Sequence, residues 1–589
     1  MHNLLPWRNI FLLFAILILL VGLLLAGFFL LARHYLRLTN PSRRRALLDD
    51  LAKSVGGGSA ERLSLERKKL VGFFHPYCNA GGGGERVLWC AVSYMQENES
   101  DVISVVYTGD VDATKEEIIT KVQERFGIPL DPASLAFVYL PSRHLVDGIS
   151  WKRFTLLGQS LGSMWLAWEA LDRIVPDAFI DTMGYAFTYP LIRALRLTPP
   201  HLSRPSSPRS SSTNVRALAS EPSVHRIPIA AYVHYPTIST NMLRRVQNQE
   251  TGVTNDASVS GSLWKTTVKI WYYRLFAMAY SHSLSQADRI VANGTWTKNH
   301  IDSLLARPAK KLETKQGSDD GVKIIFPPCD TEALQSLDVS EYRERVILSV
   351  AQFRPEKNQS AQLHALRDLL EQYPEYRTGS VTSHTSHKRL STSSSGGSSP
   401  LLKHRQLSFP RRSRDTGPLR LVLLGSVRNP EDEGRVDALK ELAKALGVED
   451  HVEFVLNASY DELLSWLGRA SVGVSSMIDE HFGINVVEFM AAGLIPVSHA
   501  SGGPLLDIIK PPSHASDSRT GFLYTSSTSS GTEAEGTLSF PEALHAALSL
   551  SPEEEYSMRL QARERSRMFG VREFEQRWAD ELWNGLLSG

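Results

Sequence analysis

Two carboxylates eight residues apart carry the clearest chemistry of this 589-residue chain. They are Glu480 and Glu488, in the run Glu480-His481-Phe482-Gly483-Ile484-Asn485-Val486-Val487-Glu488. Val472 to Ser475 reads as a short buried strand, Phe482-Gly483 as a turn, and Asn485 to Ala492 as a helix. Glu480 then lies in a loop at a strand's C-terminal edge, and Glu488 about one turn inside the next helix. Open α/β sheets bind ligands at that edge. A loop carboxylate there can accept sugar hydroxyls, and a helical one can grip a ribose diol. Short motifs match by chance, so the pair gains weight only from the rest of the chain.

Four further constellations point the same way. Asn79-Ala80-Gly81-Gly82-Gly83-Gly84-Glu85-Arg86 follows a strand and precedes a helix read over Arg86 to Met95. Glycines at Gly82, Gly83 and Gly84 remove the Cβ atoms that keep a backbone away from a phosphate, and the helix start supplies free N–H groups and partial positive charge. It is not a Walker loop, because no Gly-Lys-Ser/Thr follows. Phe353-Arg354-Pro355-Glu356-Lys357-Asn358 stands directly after another strand. Arg354 and Lys357 can both face a diphosphate and stabilise the charge that grows on it as it leaves. His234, in Tyr232-Val233-His234-Tyr235-Pro236, can bond a sugar hydroxyl at a strand end. Ser501-Gly502-Gly503-Pro504 offers turn amides. Asp110-Val111-Asp112 has the look of a metal-binding Asp pair, but reads as a strand-end loop. No Cys/His cluster has zinc spacing, so no metal ligand is assigned, and no hydrolase elbow is present.

These groups need a scaffold, and the pattern supplies one. Strands are read at Leu70 to Phe74, Val102 to Tyr107, Ala136 to Leu140, Ala178 to Asp181 and Ile229 to His234, with a helix over Lys115 to Phe126 between them. A second series follows: strand Val346 to Ala351, helix Gln359 to Tyr373, strand Leu419 to Gly425, helix Asp437 to Leu446, strand Val452 to Val455 and helix Tyr460 to Ala470. Strands alternating with helices argue for parallel α/β domains. The expected organisation is an anchor at 10–32, a first domain at 66–330, a second at 345–550, and C-terminal helices at 552–587 packing back toward the first. Two polar stretches, 199–223 and 377–417, bury too little apolar surface to offset ordering entropy and are read as disordered insertions.

Sixty-four basic and 63 acidic residues leave a net charge of +1, which gives no support to nucleic-acid binding. Three cysteines, Cys78, Cys90 and Cys329, are too few for a disulfide framework. Phe11 to Leu31 is uncharged and almost wholly apolar, long enough at ~1.5 Å per residue to span the ~30 Å hydrocarbon core. Arg33, Arg37, Arg43, Arg44 and Arg45 follow it and only Arg8 precedes it. The positive-inside rule places the N-terminus in the lumen and the rest in the cytosol. Sequons at Asn98, Asn293, Asn358 and Asn457 are then expected to stay unmodified. The aromatic, basic stretch Leu263 to Tyr280 reads either as a helix on an anionic membrane surface or as a core helix.

Together the Glu480/Glu488 pair, the glycine run after His75-Pro76-Tyr77-Cys78, Tyr232 to Thr240, Val291-Ala292-Asn293-Gly294-Thr295-Trp296, Pro327-Pro328-Cys329-Asp330 and Phe353 to Asn358 carry a resemblance. The chain resembles the family-4 glycosyltransferases, and within them the membrane-anchored α-1,2-mannosyltransferases. The resemblance covers nearly all of residues 66–580 outside the two insertions. It implies an α/β GT-B fold, with two Rossmann-like domains facing a cleft, preceded by one N-terminal transmembrane helix. It implies GDP-mannose as donor, a dolichol-diphosphate oligosaccharide as acceptor, addition of the fourth and fifth mannoses on the cytosolic face of the endoplasmic reticulum membrane, and no metal or other cofactor. By resemblance Arg354 and Lys357 stabilise the diphosphate, Glu488 holds the ribose, Glu480 contacts mannose hydroxyls, and His234 sits near the reacting sugar. Gly82, Gly83, Gly84, Gly483 and Ile484 complete the donor set. Other mannosyltransferases of the pathway are candidate partners. Asn241 departs from the Asp expected there. A sibling transferase with another lipid acceptor, a catalytically dead scaffold and a soluble glycogen-type synthase are the alternatives; the apolar span argues against the last.

Overall fold

The structure is a computed structural model that describes residues 5–54, 56, 59–203, 226–238, 263–306, 321–340, 343–378, 417–510, 519–525 and 538–588. Most of the stretches 199–223 and 377–417 read as insertions, and Asn241, lie outside the described residues. The chain forms two compact units, Met1–Pro328 with Val571–Gly589, and Cys329–Gly570.

The first unit holds a seven-stranded sheet in the order β3-β2-β1-β4-β5-β6-β7. Its strands are β1 (Lys69–Phe74), β2 (Val102–Thr108), β3 (Leu135–Tyr139), β4 (Ala178–Asp181), β5 (Ile229–Val233), β6 (Arg289–Ala292) and β7 (Lys323–Ile324). The second unit holds six strands in the order β10-β9-β8-β11-β12-β13. These are β8 (Glu344–Val350), β9 (Arg420–Gly425), β10 (Val452–Leu456), β11 (Ala470–Ser475), β12 (Ile495–His499) and β13 (Phe522–Tyr524). Every described pairing is parallel. Parallel strands are covered on both faces and read as apolar runs rather than alternations. Val102–Thr108, buried at every position, shows this. In each sheet the order reverses once, between β1 and β4 and between β8 and β11. Doubly wound sheets bind ligands beyond the strand ends at that reversal.

The helices that position the site are α1 (Leu5–Ser54), α2 (Gly83–Asn98), α3 (Thr155–Arg173), α4 (Leu263–Leu284), α5 (Gln359–Gln372), α6 (Ile484–Ala492) and α7 (Pro552–Ser566). One helix, α1, has two unlike parts. Its leucines and phenylalanines from Leu12 to Leu31 are mostly exposed, and this part is apolar and long enough to cross a membrane. Beyond it Ala32, Leu36, Asn40, Arg44 and Leu48 recur every four residues and are buried on the first unit. That spacing keeps one stripe of a helix against a core. Arg44 is 5% exposed and pairs with Asp177 at 2.9 Å. Asn40 accepts the Val175 amide at 2.9 Å.

The C-terminal segment divides differently from the sequence expectation. Residues of α7 stay on the second unit: Arg563 donates to the Ala491 carbonyl at 2.9 Å, satisfying an end of α6. Only from Val571 does the chain belong to the first unit, where Trp578 stacks on Phe73 with centroids 6.4 Å apart. Amphipathic periodicity alone does not say which sheet a terminal helix covers. Similarly, the helix read from Asp437 starts at Pro430, because Asn429 caps it by accepting the Asp432 amide.

Helix α4 has a buried side and an exposed apolar side. Tyr273, Phe276, Ala277, Tyr280 and Leu284 face the core. Trp271, Leu275 and Met278 are 58–65% exposed. Beside it, α3 exposes Leu157, Leu161 and Trp165, preceded by Phe154. The Phe154 and Tyr272 rings meet at 5.7 Å, so the two exposed faces adjoin.

Candidate active site

In the second unit the reversal point collects residues more than a hundred positions apart. Strand β8 ends and the chain passes through Arg354-Pro355-Glu356-Lys357 to Asn358, which takes a left-handed φ of 50° and starts α5. Strand β11 ends and leads to Glu480. The two loops are clipped together: Ser476 donates to the carbonyls of Lys357 and Asn358 at 2.8 and 3.0 Å, and Gln362 of α5 donates to Ser476 at 2.7 Å. Lys357 Nζ donates to Glu480 Oε2 at 2.6 Å and reaches Met477 Sδ at 3.3 Å. The pair is largely buried, and such charges persist inside a protein only when partnered. Arg354 remains near half exposed, with Glu356 at 3.7 Å. It also bears electrostatically on Asp432, whose carboxyl lies below its usual range: burial alone would raise it, and Arg428 at 3.0 Å more than compensates.

The Glu480 loop is held from behind by backbone. Gly503 N donates to Glu480 O at 2.7 Å. A Cβ on Gly502 would stand 2.1 Å from Glu480 O, and one on Gly503 2.1 Å from Phe482 O. Gly502 and Gly503 therefore let one turn press on another. Ser501 Oγ accepts the Asp479 amide at 2.8 Å. Burial holds His481 below the ordinary imidazole range, against the pull of Glu480. Gly483, with φ 109°, turns the chain into α6, where Asn485 donates to Val350 O at 3.2 Å and ties the helix start to the end of β8. Ile484 and Glu488 lie on that helix, Glu488 half-buried. Arg343 locks its other end, donating to Ala492 O at 2.6 Å.

In the first unit the glycine run forms the start of α2, three residues earlier than the sequence suggests. Gly82 is the cap and Gly83 and Gly84 lie in the first turn. Four consecutive glycines mask a helix start because they favour none; the Glu85 carboxylate stabilises it by accepting the Gly82 amide at 2.7 Å. Burial would raise the Glu85 carboxyl, but His75 and these amides hold it below its usual range. His75 itself is anchored at 2.7 Å to Thr182. A Cβ on Gly84 would lie 3.6 Å from His234 Nε2, so the glycine turn and His234 meet across 150 residues. The Tyr232 ring sits 4.9 Å from His234, and Tyr235 stacks on Trp296 at 5.8 Å. Asp181 accepts the Met183 and Gly184 amides and the Tyr189 hydroxyl at 2.6 Å; full burial still pushes its carboxyl up to about 6.

Asp110 proves to be a loop brace. It accepts the Asn79 amide at 2.9 Å and pairs with Arg143, fixing the entry to the glycine run. Among the described residues no group of His, Cys, Asp or Glu is placed to hold a metal ion. The sequence reading missed the bracing set of Ser476, Gln362 and Thr182. Their polar side chains sit at strand ends or on a helix facing one, a signal that exists but is shared with many ordinary positions.

Solved structures share the fold. The chain aligns over 88% of its length with OtsA (TM-score 0.53, 11% identity, 99% of that chain). It aligns as well with an α,α-trehalose 6-phosphate synthase from Burkholderia multivorans (TM-score 0.52, 12% identity, 98% of that chain). Sequence relatives are nearer. The GDP-Man:Man(3)GlcNAc(2)-PP-Dol alpha-1,2-mannosyltransferase of Homo sapiens is 38% identical over 87% of this chain and 89% of its own, and that of Dictyostelium discoideum 40% identical over 75% and 73%. Residues 68–200 and 216–305 match the family described as ALG11 mannosyltransferase N-terminus, and 406–535 match glycosyl transferases group 1. With two doubly wound sheets, acids and cations gathered at one reversal point and relatives aligned along most of its length, the chain belongs to the ALG11 mannosyltransferase family.

Proposed function

We propose that the protein is a retaining α-1,2-mannosyltransferase. It transfers the fourth and fifth mannoses from GDP-mannose to a dolichol-linked Man(3)GlcNAc(2) oligosaccharide, on the cytosolic face of the endoplasmic reticulum, without a metal ion. The names of the relatives supply donor and acceptor class. The observation that carries the chemistry is the Lys357–Glu480 pair at 2.6 Å, beside Arg354, at the reversal point of the second sheet.

In this reading Lys357 exchanges partners as donor binds. The diphosphate takes the ammonium, and Glu480, released, accepts mannose hydroxyls. Arg354 supplies a second charge to the leaving diphosphate, and Glu488 accepts from the ribose hydroxyls. Amides of Gly483 and Ile484 stand at the start of α6. Gly83 and Gly84 offer amides, the run Gly82 to Gly84 allows a close backbone approach, and His234 stands beside Gly84 to bond a sugar hydroxyl. The acceptor hydroxyl attacks the anomeric carbon on the face from which GDP departs. Its proton passes to the departing phosphate oxygen, so no protein base is required. Cations aimed at a leaving diphosphate act where charge develops, which is where preorganised donors matter most.

Membrane seating is part of the same proposal. The α1 span anchors the chain, and the apolar faces of α3 and α4 lie against the lipid surface, with Trp165 and Trp271 at the interface where such rings favour residence. Asn293 is 4% exposed, so a glycan at that sequon conflicts with the folded unit.

The test uses purified protein, GDP-mannose and lipid-linked trimannosyl-chitobiose, with and without EDTA, read by product mass. Gain of one and then two hexoses, removable by an α-1,2-mannosidase and insensitive to EDTA, is expected. Transfer from another sugar nucleotide alone rejects the donor; absence of all turnover favours the scaffold alternative.

A further inference from the structure

Where α1 leaves the membrane and docks on the first unit, it borders a cavity of about 580 Å³ that the transfer chemistry does not use. Its walls are of two kinds. Leu36, Leu48, Val175 and Leu197 are apolar and buried. Arg37, Arg44 and Arg45 are cationic, and Glu66 is the single acid among the lining residues. Glu66 has a cation of its own, Arg62, at 3.5 Å.

Arg44 is the decisive residue. It is 5% exposed, and its Nη2 is satisfied by Asp177 at 2.9 Å and the Lys68 carbonyl at 3.0 Å. Its Nε and Nη1 are buried with no hydrogen-bond partner among the described residues. Unmade bonds on a buried guanidinium are costly, and a guanidinium with donors to spare is suited to phosphate oxygens. Arg37 and Arg45 are exposed on the same side of the helix. Position fits as well. Leu36 and Arg37 come five and six residues after Leu31, roughly 8 Å along the helix, which is the outer edge of a polar zone that adds ~5–8 Å on each face of the bilayer. Arg44 lies about two turns further from the membrane.

We propose that this cavity binds a membrane lipid through its phosphate-bearing headgroup, entering beside Arg37 and reaching toward Arg44, with the apolar wall receiving the glycerol or first isoprenoid carbons. The proposal rests on the membrane-span reading, but not on the identity of the sugar transferred. Two lipids present this chemistry, an anionic phospholipid and a polyprenyl diphosphate.

The experiment places the full chain in nanodiscs of phosphatidylcholine containing either phosphatidic acid or polyprenyl diphosphate. After transfer to neutral detergent, native mass spectrometry reads the lipids retained. Wild type is expected to keep one phosphate-bearing lipid, and the arm in which it does so names the source. The double variant R37Q/R45Q, altered only at exposed side chains, should lose retention roughly tenfold or more, since each cation near the surface contributes appreciably. Lys444→Gln, exposed and outside the cavity, should retain lipid as wild type does. Retention by the double variant equal to wild type, or by neither, overturns the site. Inorganic phosphate at millimolar concentration displacing the lipid completely, and binding alone with equal affinity, overturns the lipid as occupant. None of these readouts uses mannosyl transfer, so a failed transfer assay leaves the result interpretable.

Discussion

One buried pair lies at the centre of the proposed donor site. Lys357 and Glu480 satisfy each other at 2.6 Å in a largely buried place, and in the proposed mechanism the donor diphosphate replaces Glu480 as the partner of Lys357. Arg354 has no such close hold, its nearest acid being 3.7 Å away and exposed. Replacing Arg354 with Ala should therefore leave folding intact and lower kcat about 10²–10³-fold, the loss typical of one charge-stabilising donor. Turnover within threefold of wild type would remove Arg354 from the mechanism. Asp181 carries a different prediction. Its folded carboxyl titrates near 6, above the ordinary 3.8, because it is wholly buried. The folded state thus holds its proton more tightly than the unfolded chain. The protonated form favours folding, and that contribution is lost as pH rises from about 4 through about 6. Asp181→Asn keeps an acceptor for the Met183 and Gly184 amides but never ionises. It should be more stable than wild type at pH 7.5 by ~1–3 kcal/mol, with the difference shrinking toward pH 4.5. Thermal unfolding at the two pH values measures this, and a pH-independent difference would refute it.

At the scale of elements, two turns and two helices matter most. The Gly502-Gly503 turn meets the Glu480 loop backbone to backbone, and Ser501 Oγ beside it accepts the Asp479 amide at 2.8 Å. Gly503→Ala drives a Cβ to 2.1 Å from Phe482 O, so the loop must shift. Overpacking of this kind costs ~1–3 kcal/mol. We expect Tm to fall and donor affinity to weaken together, measured by calorimetry with GDP. Unchanged affinity would mean the loop does not shape the donor site. Helices α3 and α4 carry the second prediction at this scale. Phe154, Leu157, Leu161, Trp165, Trp271, Leu275 and Met278 are exposed on these two helices and the residue before α3, and clustered exposed apolar side chains mark interaction or membrane surfaces. Brominated acyl chains in reconstituted vesicles should quench Trp165 fluorescence, and quenching should vanish in Leu161→Glu/Trp271→Glu. Equal quenching in wild type and variant would place the face away from lipid.

For the whole molecule the governing feature is that α1 runs from its exposed apolar part into the folded unit without a break. The Arg44–Asp177 pair, the Asn40–Val175 bond and the buried Ala32, Leu36 and Leu48 fasten the helix to the first unit over several turns. The anchor is a structural member of that unit rather than a tether. Basic residues gather after the span, so the expected topology leaves everything beyond Arg33 in the cytosol. Protease added to intact microsomes should digest both units, and endoglycosidase should not change the protein's mobility. Protection of both units would invert the topology and with it the assigned compartment.

The sequence by itself determined much of this protein. The apolar run with its flanking arginines, the alternation of strands and helices, and the loops bearing Arg354, Lys357, Glu480 and the glycine run were all legible, because each is written in local spacing. Strand and helix bounds such as Lys115–Phe126 follow from capping and apolar period within one segment. Tertiary structure alone decided which distant residues meet. Lys357 bonds Glu480 across 123 positions, Gly84 faces His234, and Gly503 presses on Phe482. It also decided that α7 stays with the second unit, and that Arg44, one of five arginines after the span, is buried with donors to spare. The physical reason is the same in each case. Propensity, capping and charge bias act over a few residues, whereas strand order and burial are settled by contacts between segments that the chain must first fold to bring together.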